Sequence, residues 1–468
     1  MHRFCNPAVS GLLIAFSLFG VAVQMSAAED ADFIIRARYV VTMDASHRVV
    51  APGAVAIKAD RIVAVGTPGE VSERYTSKHV IERPNALLMP GMIDTHTHAP
   101  MSLFRGIADD KRLDDWLNHY IFPAESKNVT PDFVRWGTRL ACLEMIRAGI
   151  TTYTDMYYFE DVEAETAKQA GVRGVLGQTI IGFPAPDYKT WKDAIDGTEK
   201  FMQKYQHDEL ITPAIAPHAI YTTPDDALVA AHQLAVKYSA PLLIHLSETQ
   251  KERDDSLTKR NLTPTQVLEK LGVLDGRVVV AHGIWQDDSD FKILLKHGVG
   301  VAHCPSSNTK LASGVAKVVD MLNMGVAVGL GTDGFAGSND AADLIKEMDL
   351  AAKLQKITRE DPTALPAEQA LEMATIGGAR VLGMQREIGS IEEGKKADLI
   401  TMSLAESDAY PLYNLYSHIV YASKSSEVED VFINGKQVMS DHVVSSLNAP
   451  EIFKKAEEYG RQVAASVR

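Results

Sequence analysis

Cysteine is scarce in this 468-residue chain, which has Cys5, Cys142 and Cys304 and no others. Cys5 precedes an apolar stretch, and with it removed the other two are too few for a disulfide framework in an exported protein. Cys142 and Cys304 are expected as buried small apolar residues. Basic tracts and low-complexity runs are also missing. Lys+Arg 47 against Asp+Glu 61 leaves a formal net charge of -14, which excludes a general nucleic-acid binder, since that function needs clustered cations. The longest apolar stretch, Ala8–Val23, falls short of the ~20 residues a membrane span requires and carries no stop-transfer charges after it.

What is present is an ordinary globular composition, 46% hydrophobic and 23% charged. Residues 1–28 stand apart: Arg3, the apolar run and Ser26-Ala27-Ala28 have the grammar of a secretory signal cut before Glu29. The chain is therefore expected in an exported compartment, periplasmic or secreted. Asp32–Met43, Ala54–Ile57 and Arg61–Val65 read as short strands, and so do pieces of Gly389–Ile400, with a hairpin at Val431–Ile433 and Asn434-Gly435. Both chain ends are expected to build one small β-sandwich.

Between them, apolar runs at Ala86–Ile93, Ile150–Thr154, Val172–Ile180, Ile211–Ile215, Pro241–Ile244, Arg277–Ala281, Val299–Ala302 and Val326–Leu330 alternate with segments of helical period. One such segment starts at Thr130-Pro131, repeats Phe133, Trp136, Leu140, Leu143 and Ile146, and stops at Gly149. Eight runs interleaved with helices predict an α/β fold, a (β/α)8 barrel of the TIM type. The expected organisation is a signal at 1–28, sandwich at 29–85, barrel at 86–388, and at 389–468 more sandwich followed by a C-terminal helix.

Several runs end in residues that bind metal or move protons. In Asp94-Thr95-His96-Thr97-His98 a period of two puts both imidazoles on one side of a strand. Alone, H-x-H is weak. It gains weight because His245 and Glu248 close the fifth run, His282 the sixth and Asp333 the eighth, and barrels of this kind gather their active sites at the carboxyl ends of the strands. Three imidazoles and a carboxylate, His96, His98, His245 and Asp333, suit one divalent cation, Zn²⁺ or Fe²⁺.

At this point the sequence resembles the amidohydrolase superfamily. Pro90-Gly91-Met92-Ile93-Asp94-Thr95-His96-Thr97-His98 looks like its first-strand signature. Met101-Ser102-Leu103-Phe104-Arg105-Gly106, Pro217-His218-Ala219, His245-x-x-Glu248, His282, His303-Cys304-Pro305-x-Ser307-Asn308 and Gly331-Thr332-Asp333 follow in the order of one branch. That branch holds 5′-methylthioadenosine/S-adenosylhomocysteine deaminases and triazine hydrolases, and the likeness runs from about Asp32 to Val438. The resemblance implies that one metal activates a water, that Glu248 shuttles its proton to a ring nitrogen, that His282 hydrogen-bonds the attacking oxygen, and that Asp333 serves as ligand and base. It also implies substrate contacts from Glu125 and His218. Dinuclear relatives carry a lysine where Pro217-His218 stands, so one metal is expected. Each residue has a plainer reading: Glu248 as a solvated carboxylate, His282 as a core histidine, His218 as a loop former, Trp116 and Phe104 as lid packing.

The expected activity is hydrolytic deamination of an exocyclic amine on a purine nucleoside of the adenosine or 5′-methylthioadenosine type. The alternatives are hydrolysis of a triazine, cyclic amide or guanidine-like heterocycle, or an inactive binding scaffold. The partner expected is a small heterocyclic substrate, with no nucleic acid and no stable membrane span after signal cleavage; a homo-oligomer is compatible with the sequence. The segment Gln178–Tyr188 has no Arg or Lys to meet the amino-acid tail of S-adenosylhomocysteine. Amino-terminal sequencing of the mature protein should begin near Glu29; cytosolic material with residues 1–28 intact would contradict export.

Overall fold

The structure, a computed structural model, describes residues 1–2 and 28–466. The signal segment, with Cys5, lies outside the described residues but for its ends. Within them no helix is long and apolar enough to cross a membrane.

The barrel strands are Met92–His98, Ile150–Tyr157, Arg173–Ile180, Ile211–Pro217, Leu242–Leu246, Val278–His282, Gly300–His303 and Val328–Leu330. They pair in sequence order, all parallel. A ninth short strand, Asp333–Gly334, pairs with Met92–His98 and closes the ring. Because Gly331-Thr332 alone separates it from Val328–Leu330, the last two strands are successive pieces of an eighth pass. Burial on both faces, with Ile93, Val175, Ala214, Leu243, Val279 and Ala302 meeting inside, explains why these strands read as continuous apolar runs rather than alternating ones. The helix Pro131–Arg147 forms as its spacing predicts. The Thr130 side chain accepts from the Phe133 amide, and Phe133, Trp136, Leu143 and Ile146 are buried.

Both chain ends contribute to a second, nine-stranded sheet. Val80–Pro90 and Leu399–Ser403 pair antiparallel at its centre, joining the amino-terminal strands to the carboxyl-terminal ones. Ile35, Val55, Leu88, Leu399 and Phe432 share its core. The hairpin Val428–Ile433 to Lys436–Ser440 turns at Asn434 and Gly435, both with positive φ, as a tight two-residue turn demands. The helix Ala449–Ser466 packs on Pro131–Arg147.

Two boundaries differ from the sequence reading. Ala86–Ile93 is two strands: Val80–Pro90 belongs to the terminal sheet, and the barrel begins only at Met92. Gly91 makes the step, since a Cβ there would lie 2.2 Å from the Thr151 side chain. Most of Gly389–Asp398 is turn rather than strand, with Gly389 and Gly394 at φ 91. Strand resumes at Leu399.

Arg173 ties the two units together. Its guanidinium donates to Asp398 (Nε to Oδ2 2.8 Å) and to the Glu209 carbonyl, while Asp398 also accepts from the Asn434 amide. Both side chains are almost wholly buried. Removing one partner strands a buried charge, so Asp398→Ala should cost roughly 3–5 kcal/mol, read as a lower urea midpoint; a loss under about 1 kcal/mol would mean that the pair is not what joins barrel to sheet.

Candidate metal centre and substrate pocket

The residues read from the sequence come together at the carboxyl ends of the strands. Asp333 Oδ1 lies 3.4 Å from His96 Nε2 and 3.4 Å from His98 Nε2, and His98 Nε2 lies 3.4 Å from His245 Nε2. His96, His245 and Asp333 are buried, and His96 Nε2 has no hydrogen-bond partner. Ligands about 2.1 Å from a tetrahedral centre stand about 3.4 Å from one another. Three contacts among these four donors have that length; His96, His98 and Asp333 form one group that could hold a metal ion, and His96 and His245 share a second with His282.

Each donor is aimed from behind. His98 Nδ1 donates to the Met156 carbonyl (2.7 Å) and His245 Nδ1 to the His218 carbonyl (2.8 Å), which turns both Nε2 atoms inward. Asp94 accepts from the Thr332 amide (3.0 Å) and hydroxyl (2.6 Å), pinning the break that carries Asp333. Asp155 accepts from the Thr97 hydroxyl (2.6 Å) and the Ala99 amide, fixing the chain on either side of His98. Asp333 and His282 both sit in the left-handed backbone region, φ 65 and 72. Such conformations persist where the surroundings over-determine them. Gly331 permits the approach, because a Cβ there would lie 2.9 Å from that of His96.

Burial pushes His96 down to about 4 and His245 well below the imidazole range, so both are neutral. Burial also opposes charge on His98, but its hydrogen bond and charge pairing with Asp333 outweigh this and hold it at about 9. Burial would raise Asp333 as well, yet His96 and His98 keep it well below the usual carboxylate range.

Glu248 and His282 complete the floor, with Glu248 Oε2 3.8 Å from His282 Nε2. Burial raises the Glu248 carboxyl, which favours its protonated form. Above the floor, one pocket is lined by His98, His245, Glu248, His282 and Asp333 together with Glu125, His218, Tyr157, Tyr158 and Trp116. Glu125 reaches it from the helix Phe122–Asn128, which continues a π-helical turn at Trp116–Ile121. Such turns shift the phase of a helix and are frequent at functional sites. Glu125 accepts from the Tyr158 hydroxyl at 3.4 Å, and burial pushes its carboxyl up to about 7. His218 donates from Nδ1 to the Thr222 hydroxyl at 2.8 Å, and burial pushes it down to about 3.

Every site residue expected from the sequence lines this pocket or its floor. Trp116 does both jobs, lining the pocket and donating from Nε1 to the Ala336 carbonyl at 2.7 Å. Phe104 packs on Phe133, 4.6 Å between ring centroids, and is core. Cys142 and Cys304 are free and buried. The reading missed Tyr157, Tyr158 and the bracing carboxylates Asp94 and Asp155. Asp94 stood inside the first-strand signature, and Asp155 ends its own run as His245 and His282 end theirs.

The Amidohydrolase family model matches residues 87–438. A 5-methylthioadenosine/S-adenosylhomocysteine deaminase of Thermodesulfovibrio yellowstonii is 43% identical over 436 residues, covering 93% of this chain and 99% of its own. The crystal structure of an adenosine deaminase from Xanthomonas campestris with bound zinc superposes with TM-score 0.92 at 35% identity, covering 94% of this chain and 100% of that one. Atrazine chlorohydrolase from Arthrobacter aurescens complexed with zinc shares the fold, with TM-score 0.83 at 24% identity over 92% of this chain and 100% of its own.

Since His98 carries a proton at neutral pH when only Asp333 faces it, a divalent cation taking its place must expel that proton. Zn²⁺ uptake should release about one proton per site, and apparent affinity should fall about tenfold per pH unit on acidification from pH 8 to 6. Calorimetry in buffers of different ionisation enthalpy reads this directly; proton-neutral binding would contradict the arrangement.

Proposed function

The chain belongs to the amidohydrolase family, and from that premise we propose that it is a hydrolase of carbon–nitrogen bonds that deaminates purine nucleosides of the adenosine or 5′-methylthioadenosine type. Water and the exocyclic amine exchange: the ring carbon gains oxygen and ammonia leaves. The observation that carries this reading is a pocket with a convergent donor set at its floor and a buried carboxylate, Glu125, on its wall.

His96, His98, His245 and Asp333 would hold one divalent cation, Zn²⁺ in the first instance and Fe²⁺ as the alternative. Bound there, it would supply the Lewis acidity that makes water a nucleophile at neutral pH. The rest belongs to the chain. Asp333, already anionic, would take a proton from the attacking water. Glu248 would carry a proton to the ring nitrogen beside the carbon under attack, neutralising charge as the ring loses its aromatic bond. His282 would hydrogen-bond the incoming oxygen. Glu125 would accept ribose hydroxyls, and neutral His218 would face the nucleoside without adding charge.

The pocket has no Lys or Arg on its lining. An outer groove that shares Leu117, Phe122, Tyr221 and Leu311 with it carries Arg112 and Lys251, so a charged 5′ tail would meet cations on the rim rather than in the Gln178–Tyr188 loop. We also propose that the protein works in an exported compartment, on the strength of its amino-terminal grammar.

Glu248→Gln should keep its metal yet lose on the order of 10²–10⁴ in kcat for ammonia release from adenosine; near-normal turnover would remove Glu248 from the proton path. Glu125→Ala should raise KM for adenosine and 5′-methylthioadenosine by an amount worth about 1.5–3 kcal/mol and leave free adenine scarcely changed. If bare heterocycles or triazines were the better substrates and Glu125→Ala were silent, the nucleoside assignment would fall.

A further inference from the structure

The segment His303-Cys304-Pro305-x-Ser307-Asn308 leads from the barrel strand Gly300–His303 into a short helix. Asn308 is fully buried in the short helix Pro305–Lys310, and its backbone is tied at both ends: its amide donates to the Cys304 carbonyl, and its carbonyl accepts from the Ser313 amide, each at 2.9 Å. Its side-chain oxygen lies 3.0 Å from His282 Nδ1, while its side-chain nitrogen has no partner among the described residues.

We propose that Asn308 is a positioning residue for the deamination, holding His282 by its Nδ1–H so that Nε2 faces Glu248 and the metal ligands. The proposal rests on the deaminase reading of the site. An amide oxygen can only accept, so Nδ1 must be the nitrogen that bears hydrogen. In that tautomer Nε2 carries the lone pair. It stands 3.8 Å from Glu248 Oε2, beside His96 and His245, whose ring centroids are 5.4 and 5.6 Å from that of His282. Toward the attacking water, a ring held this way accepts hydrogen from the oxygen and thereby orients its nucleophilic lone pair. It does not donate to it. The constraint acts on ring rotation as well as tautomer. His282 leaves its strand in the left-handed backbone region, and Asn308 is its hydrogen-bond partner on the side away from the pocket floor. Histidines at metal sites depend on such partners, whose loss typically costs about 10–100-fold in affinity or activity.

The test compares Asn308→Leu, which has similar volume and no acceptor, with Asn308→Asp, which keeps an oxygen in place. Asn308→Leu should lose roughly 10–100-fold in kcat for adenosine with KM and metal content unchanged, Asn308→Asp should recover most of that loss, and Asn308→Leu should add nothing in a His282→Ala background. Equal losses in both variants, no loss in either, or an additive effect without His282 would overturn the proposal. Should Asn308→Leu fail to fold, nitrogen NMR of histidine-labelled wild-type holoenzyme, with His282 assigned by its absence in His282→Ala, still decides. Hydrogen on Nδ1 supports the proposal, and hydrogen on Nε2 alone refutes it. If wild-type protein released no ammonia from any adenosine-type substrate, the deaminase reading would fail and the NMR result would judge Asn308 separately.

Discussion

Three imidazole nitrogens and one carboxylate oxygen are forced within 3.4 Å of their neighbours in a buried space, and the barrel mouth is organised around that constraint. Lone pairs so close repel one another unless a cation lies between them, so each group must be held from behind. The backbone carbonyls of Met156 and His218 and the carboxylates of Asp94 and Asp155 do so. These braces come from three strands, Met92–His98, Ile150–Tyr157 and Ile211–Pro217, or from the residue just past them. The site is therefore a property of the closed ring and not of one motif.

Closure itself depends on a small defect. The eighth pass of the sheet breaks at Gly331-Thr332, and the break lets Asp333 turn into the left-handed region and pair back to the first strand. A regular strand would have sent that carboxylate elsewhere. The terminal sheet supplies rigidity from outside through the buried Arg173–Asp398 pair. The helix Phe122–Asn128, continuing the π-helical turn Trp116–Ile121, brings Glu125 over a floor built by other elements.

The barrel was legible because parallel strands buried on both faces leave apolar runs, and the ligands were legible because they stand at the ends of those runs. His96 and His98 share a side through the period of a strand, which no tertiary knowledge is needed to see. The boundary at Gly91 was not legible: Ala86–Ile93 is equally apolar on either side of it, and only pairing assigns Val80–Pro90 to the other sheet. Gly389–Asp398 misled for the opposite reason, its Ile391 and Ala397 being buried from irregular backbone rather than strand. Tyr157 and Tyr158 look like any aromatic pair at a strand end, and Asn308 like any polar residue in a helix. Tyr158 meets Glu125 33 residues away in sequence and Asn308 meets His282 26 residues away, pairs joined only by the fold.

The most direct measurement is metal-edge X-ray absorption combined with anomalous diffraction on the zinc-loaded protein. The account predicts one zinc per chain, with imidazole nitrogens from His96, His98 and His245 and an oxygen from Asp333 as its protein ligands, and a position open to water. Two metals in the site, or one bound without His245 or Asp333, would contradict it.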